Sequence, residues 1–302
     1  MKIVPTICFV LISFYLFPQN YVDIIKINSG TTSLNKFDSS ASKTRINETT
    51  ADLTLPIKVA GWYTLVTGAI FENYQTKLFA NENPRSFGAL TLKAGFNIQW
   101  NERWSGTYIF LPKAASDRMP VNGKDYQVGG IALMKFKKHD QLNYKFGLYY
   151  NSELFGPFFV PMFGMYYLSP SKKLEANIML PLQADVNYQL HKLFNIGCNF
   201  NGQIRSYYLS NVSPDINGAY VSRSTNELFA YLKFNITKGL SFQARVGQSV
   251  ARKYRVYADG DKVSFGLPLL FFGGNRQQLN PNFSDGLIFQ GTLLFRIYPD
   301  KK

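Results

Sequence analysis

The chain has 302 residues, 46% of them hydrophobic and 16% aromatic, with a formal net charge of +14. That is enough material for a buried core in one or two domains. Two cysteines, one of them inside the apolar N-terminal run, exclude a disulfide-built scaffold. Two histidines and no clustered Cys/His spacing leave little for metal or nucleophilic chemistry.

The chain opens on "MKIVPTICFVLISFYLFPQN", a lysine followed by a mostly apolar run and then polar sequence. This layout predicts a signal peptide over 1–19. The run is short of the roughly 20 residues that a spanning helix needs. Residues 20–52 are rich in Ser, Thr, Asn and Lys, which predicts a flexible periplasmic leader before a barrel domain over 53–302.

From there the dominant signal is strict alternation. "GALTLKAGFNIQW" sets Leu90, Leu92, Phe96 and Ile98 against Thr91, Lys93, Asn97 and Gln99. "YQVGGIALMKFK", "LNYKFGLYYN", "LFNIGCNFNGQIRSYYL", "ELFAYLKFNI" and "SFQARVGQSVARKYRVY" repeat it, and "LIFQGTLLFRIY" repeats it with apolar residues at odd positions. Side chains of a strand alternate between faces, so each segment has one oily and one polar side. Soluble strands usually run about five or six residues, and several of these are far longer.

Short turns at 101–103, 138–140, 169–172, 191–192 and 237–238 alternate with long connections at 72–86, 112–125, 210–224 and 257–285. Together these features predict an all-β fold, a transmembrane up-and-down antiparallel β-barrel of about twelve strands, with ten or fourteen as alternatives. The segment "LEANIMLPLQADVNYQL" fits that order if a hairpin turns at Pro181–Gln183. Trp100, Trp104, Tyr144, Tyr150, Tyr166, Tyr188 and Tyr208 fall near strand ends on the apolar parity, as aromatic girdles do. Arg252 is the one charge on that parity, placed beyond the hydrocarbon.

The segments "LPKAASD" (111–117), "YNSELFGPFFVPMFGMYYLSP" (150–170), "LPLQADVNYQL" and "ARKYRVY" resemble an uncharacterised outer-membrane β-barrel family of Gram-negative bacteria, a domain of unknown function. Its marks are Ser116-Asp117, Gly156-Pro157 with Pro161 and Gly164, the Leu180-Pro181-Leu182 step and the run from Arg252 to Tyr257. The resemblance implies architecture and location in the outer membrane; it brings no reaction, cofactor or ligand.

The sequence supports no enzyme. His139 and His191 fall in predicted periplasmic turns, Cys198 on the lipid side, and Asp117, Asp125, Asp259, Asp261 and Asp285 in outer loops without calcium-loop spacing. What stands out is the basic inner parity. Lys93, Lys135, Lys145, Lys233 and Arg245 line a possible anion path, with Lys93 and Arg245 nearest mid-depth. Phe159, Phe163, Met165 and Tyr167 on the same assigned parity would fill part of the lumen. Arg205, Arg252, Lys253 and Arg255 are placed at the outer rim, in reach of lipopolysaccharide phosphates. The expected partners are outer-membrane lipid including lipopolysaccharide, the barrel-assembly machinery and small anionic solutes. Nucleic acid is not among them, since much of the basic excess points into a lumen. A closed structural or surface-binding barrel, acting through loops such as 209–220 and 257–285, is favoured over a small anion-preferring channel, with an outer-membrane hydrolase a distant third.

Overall fold

The computed structural model describes residues 21–118, 121–210, 212 and 218–298. The signal-peptide expectation for 1–19 lies outside them. Fourteen strands form one closed antiparallel barrel. In chain order they are β1 (Val22–Thr32), β2 (Asn47–Ala60), β3 (Tyr63–Thr76), β4 (Arg85–Gln99), β5 (Trp104–Ser116), β6 (Tyr126–His139) and β7 (Leu142–Glu153). The rest are β8 (Gly156–Leu168), β9 (Leu174–Leu180), β10 (Gln183–His191), β11 (Phe194–Leu209), β12 (Ala219–Asn235), β13 (Leu240–Ser249) and β14 (Leu287–Ile297). Each strand pairs with the next, and β1 closes the cylinder on β14, from Val22 opposite Ile297 to Thr32 opposite Ile288.

The count is therefore fourteen, the higher of the two alternatives to the twelve that the sequence favoured. All of β1, and Asn47–Asp52 of β2, lie in the stretch read as a flexible leader. Its polar residues are the reason for both the reading and the outcome. Lys26, Asn28 and Thr32 alternate with Ile25 and Ile27, which is what a wall strand with a wet inner face requires. The hairpin at Pro181 is present, with β9 and β10 joined through Pro181 and Leu182.

The outward positions carry a band of exposed apolar side chains, among them Leu55, Phe71, Leu92, Phe110, Leu148, Leu232, Val246 and Phe289. An apolar surface of that extent is stable against lipid and not against water. Trp62, Trp100, Tyr144, Tyr188 and Tyr298 ring the end where the short turns lie. Tyr166 and Tyr208 are not part of a girdle, since both are buried inside.

The change at Tyr166 has a simple cause. The β7–β8 hairpin pairs Gly156 with Glu153 and Phe163 with Phe146, so odd residues of one strand face even residues of the other. Inward residues are odd on β7 and even on β8. Phe159, Phe163, Met165 and Tyr167 thus lie on the outer face, where Phe163 is 68% exposed, and Phe158, Val160, Met162 and Tyr166 point inward. The hairpin turns through Gly156 at φ 125, where an added Cβ would sit 2.5 Å from the Val263 carbonyl oxygen.

Side chains fill a barrel of about eight strands, whereas barrels of 16–18 leave a channel. Here the chain itself fills the lumen at the long-loop end. Beyond Asn201, β11 loses its wall neighbour, because β10 ends in the Pro181 hairpin. Its upper part leaves the wall and reaches β5, where Tyr208 bridges Ser116 in parallel. Gln203–Leu209, Ala219–Ser224 and Lys253–Ala258 make a three-stranded insert across the interior at the long-loop end. The third of these continues the line of β13 after a kink at Val250–Arg252, where Ala251 has φ 55.

Candidate functional site: a sealed lumen over a basic floor

Both faces of the insert are buried. On one, Tyr207, Leu209, Val221 and Val256 pack with Tyr74, Phe87 and Ala115 of the wall. The Tyr207 ring lies 5.2 Å from that of Phe87 and 5.7 Å from that of Tyr74. On the other, Tyr220 and Tyr257 join Leu111, Tyr149, Phe155, Phe158 and Met162. The loop segment 33–46 covers this core from above, with Phe37 against Phe283 at 5.6 Å.

Polar anchors fix the insert to the wall. Glu153, at the end of β7, accepts from the Ser206 backbone N–H at 2.7 Å and from its hydroxyl at 2.6 Å. The same carboxylate pairs with Lys113 of β5 at 3.4 Å, both side chains being buried. Arg223 lies 4.3 Å over the Tyr74 ring, donates to the Tyr254 hydroxyl at 2.8 Å, and pairs with Glu48 at 3.6 Å and Glu227 at 3.5 Å. Arg205 stacks on Tyr149 and donates to its hydroxyl. A buried ion is tolerated when it is paired and hydrogen-bonded, as Glu153, Lys113 and Arg223 are; among the described residues Arg205 is held by Tyr149 alone, with its Nε unpartnered.

Two of the four proposed rim residues are thus elsewhere. Arg205 is inside, and Arg252 is 5% exposed, donating to Asn35 at 3.0 Å. The kink turns Arg252 inward, so the one charge on the apolar parity never meets lipid. Lys253 is exposed and Arg255 half-buried. Asp285 holds the kink by accepting from the backbone N–H of Ala251 at 2.7 Å and of Arg252 at 2.9 Å. Partial burial alone would raise its pKa; the backbone of Arg252, the Ser249 hydroxyl and the backbone of Ala251 outweigh that and hold it below the ordinary value. At the loop surface, Lys124 pairs with Asp259 at 2.7 Å, and that hydrogen bond and charge raise the lysine's pKa.

The five lumen residues named from the sequence all face inward, in the half near the short turns or at mid-height. They are not equivalent. Lys93 is ion-paired with Asp52 and donates to Thr54 at 2.6 Å. Arg245 is held by the neutral groups of Asn199, Gln290 and Thr292, its guanidinium 4.1 Å over the Phe229 ring. Lys145 donates to Asn177 at 2.8 Å and sits directly across the ladder from Lys135. Lys135 and Lys233, with Lys26 of β1, make no ion pair or side-chain hydrogen bond to any described residue. His139 and His191 each accept from a backbone N–H in the turns, at 3.3 Å, away from the lumen.

Sequence reading missed Glu48, Glu72, Glu153, Lys113 and Arg223. All five sit on the inward parity of their strands. Extending that parity past the point where the wall strands should end would have found Glu153 and Arg223.

A family model described as Domain of unknown function (DUF6268) matches residues 31–269, and the chain belongs to that family. No curated protein matches it in sequence. Among solved structures it is similar to the toluene transporter TodX of Pseudomonas putida, at 9% identity over 91% of this chain and 89% of that one, TM-score 0.35. It is also similar to the translocator domain of the autotransporter NalP from Neisseria meningitidis, at 10% identity over 92% and 89%, TM-score 0.38. The NanC porin matches at 9% identity over 90% and 100%, TM-score 0.35.

Proposed function

We propose that this member of the family is an outer-membrane barrel closed at its loop end, and that it does not act as a standing solute pore. The insert carries this reading. Tyr207, Leu209, Tyr220, Val221 and Val256 are essentially without solvent exposure at the level where an open channel would need water. A pore that conducts at rest requires a wetted path of low cost for the ion, and a double-faced apolar core removes it. The short turns and both ends of the barrel sequence then face the periplasm, and the long loops face outward. The outer loops and the periplasmic half of the lumen are left as the surfaces through which the protein works. Lys253, still exposed, and Arg255 remain the rim groups for lipid phosphate.

A second reading, an anion-preferring channel with the insert as its gate, is favoured by one observation. The unpaired lysines Lys26, Lys135 and Lys233 lie on the periplasmic side of the seal, where they would draw anions toward it. Liposome swelling separates the two. Vesicles carrying the refolded mature protein should not swell faster than empty ones in small sugars or in chloride salts. Swelling that falls smoothly with solute size would overturn the closed reading.

A further inference from the structure

We propose that the periplasmic half of the lumen is a binding site for a soluble, phosphate-bearing anion. The site is a cavity of about 530 Å³ at the short-turn end, continuing into an inner chamber of about 100 Å³. Lys233 and Arg296 line both parts, and Lys26 lines the inner one.

Lys233 is 7% exposed and has no anion or acceptor among the described residues. An ammonium withdrawn from water without a partner is unfavourable, and a ligand anion removes that cost. Among the described residues three acids border the cavity, and none forms an ion pair with Lys233. Glu175 accepts from the Asn187 amide at 3.3 Å and keeps its other oxygen unpartnered, so its charge faces the same cavity without reaching the lysine. Asp23 is occupied by Arg296, at 2.7 Å and 3.3 Å. Asp185 accepts from the Tyr231 hydroxyl at 3.0 Å and 3.2 Å. Lys172, Lys173, Lys192 and Lys238 stand around the mouth, so the field there attracts anions before they enter.

The geometry also selects a class. Planar carboxylates are matched by the two-pronged guanidinium, and both arginines here are already engaged, Arg296 by Asp23 and Arg245 by Asn199, Gln290 and Thr292. Arg245 keeps only its single Nε–H unpartnered, which cannot grip a carboxylate with two prongs; the other free donors are ammonium groups, point charges that suit the several oxygens of a tetrahedral phosphate. Beside them Tyr21 meets Tyr166 and Tyr298 edge-on at 6.4 Å and 6.3 Å, an aromatic wall for the remainder of the molecule. None of this depends on whether the insert moves, so the site stands or falls separately from the closed-barrel reading.

The test is calorimetric titration of pyrophosphate into the refolded full barrel in uncharged maltoside micelles at low salt. Lys233→Met and Lys26→Met are each checked for native, heat-modifiable mobility, and Lys43→Met, an exposed loop-end lysine, is the control. The expected result is at least tenfold weaker binding in both lumen variants and unchanged binding in the control. Succinate should bind far more weakly than pyrophosphate. If Lys233→Met does not fold, Lys26→Met decides alone. A short-chain phosphatidate that binds more tightly than pyrophosphate would move the source to a lipid headgroup and overturn the soluble ligand. No pyrophosphate binding by the wild type, equal weakening by Lys43→Met, or succinate as tight as pyrophosphate would each overturn the site or its class.

Discussion

Tyr208 and Ser116 lie side by side in a parallel bridge, although their strands stand on separate parts of the barrel wall with five other strands between them. The Asp117 backbone N–H completes the contact by donating to the Tyr208 carbonyl at 3.0 Å. Sheet pairing of this kind across a barrel interior holds the insert in place by backbone as well as by side chains. The adjacent Tyr207 then becomes the most informative side chain to remove. Tyr207→Ala should cost about 3–5 kcal/mol of stability, as large-to-small changes in a packed core do. Hydrogen exchange should show the loss of protection concentrated in 203–209 and 219–224, with the wall strands unchanged.

Glu153 is the polar counterpart. Glu153→Gln leaves Lys113 buried without its ion-pair partner and weakens both bonds to Ser206. Breaking one half of a buried pair costs about 3–5 kcal/mol. A double change with Lys113→Met should recover much of that loss in urea unfolding, because no charge is then left unpaired.

Lys135 and Lys145 are directly opposed across β6 and β7, and like charges so placed are unfavourable. Lys135→Met should raise stability by about 0.2–1 kcal/mol. A gain read from the urea midpoint would mark Lys135 as kept for something other than folding.

Gly197 lets the Tyr231 ring lie over β11; a Cβ there would come within 2.3 Å of the ring. Gly197→Val should push the ring away from Asp185, whose carboxylate it holds, at a cost of about 1–3 kcal/mol. Near-ultraviolet circular dichroism reports the displaced tyrosine.

The kink at Ala251 should be acid-sensitive. The Asp285 pKa is depressed in the folded protein, so its contribution is present above the unfolded value of about 3.9 and is lost as pH falls through the folded value. Asp285→Asn should remove this part of the pH dependence. Exchange rates of the Ala251 and Arg252 amides, followed from pH 6 to pH 3, check the sign.

The barrel was legible because strands such as β4, β6 and β13 alternate cleanly between lipid and lumen. Two kinds of segment were not. On β8 both parities are apolar, Phe159 and Phe163 outside against Phe158 and Val160 inside, so no alternation marks the face. The register of the Glu153–Gly156 hairpin decides it, and that is a three-dimensional fact. On β1 only Ile25 and Ile27 signal a wall, while Ser29 and Thr31 occupy the outward positions nearer the loops. The basic lumen was visible as a list of lysines and arginines. Which of them are free was not, because Asp52, Glu48 and Asp23 come from the strands that composition had assigned to a leader or left at its border. The insert was hidden for a related reason: Arg205 and Tyr207 continue the parity of β11 without a break after its wall neighbour has ended.

Whether the lumen is sealed at the loop end can be read from single-channel recording of the refolded protein in a planar bilayer, with insertion confirmed by protease protection. The wild type should be electrically silent under a salt gradient, and Tyr207→Ala or Glu153→Gln should introduce brief, anion-selective openings. Steady, ohmic conductance from the wild type, unaltered by either substitution, would mean that the insert does not seal the barrel.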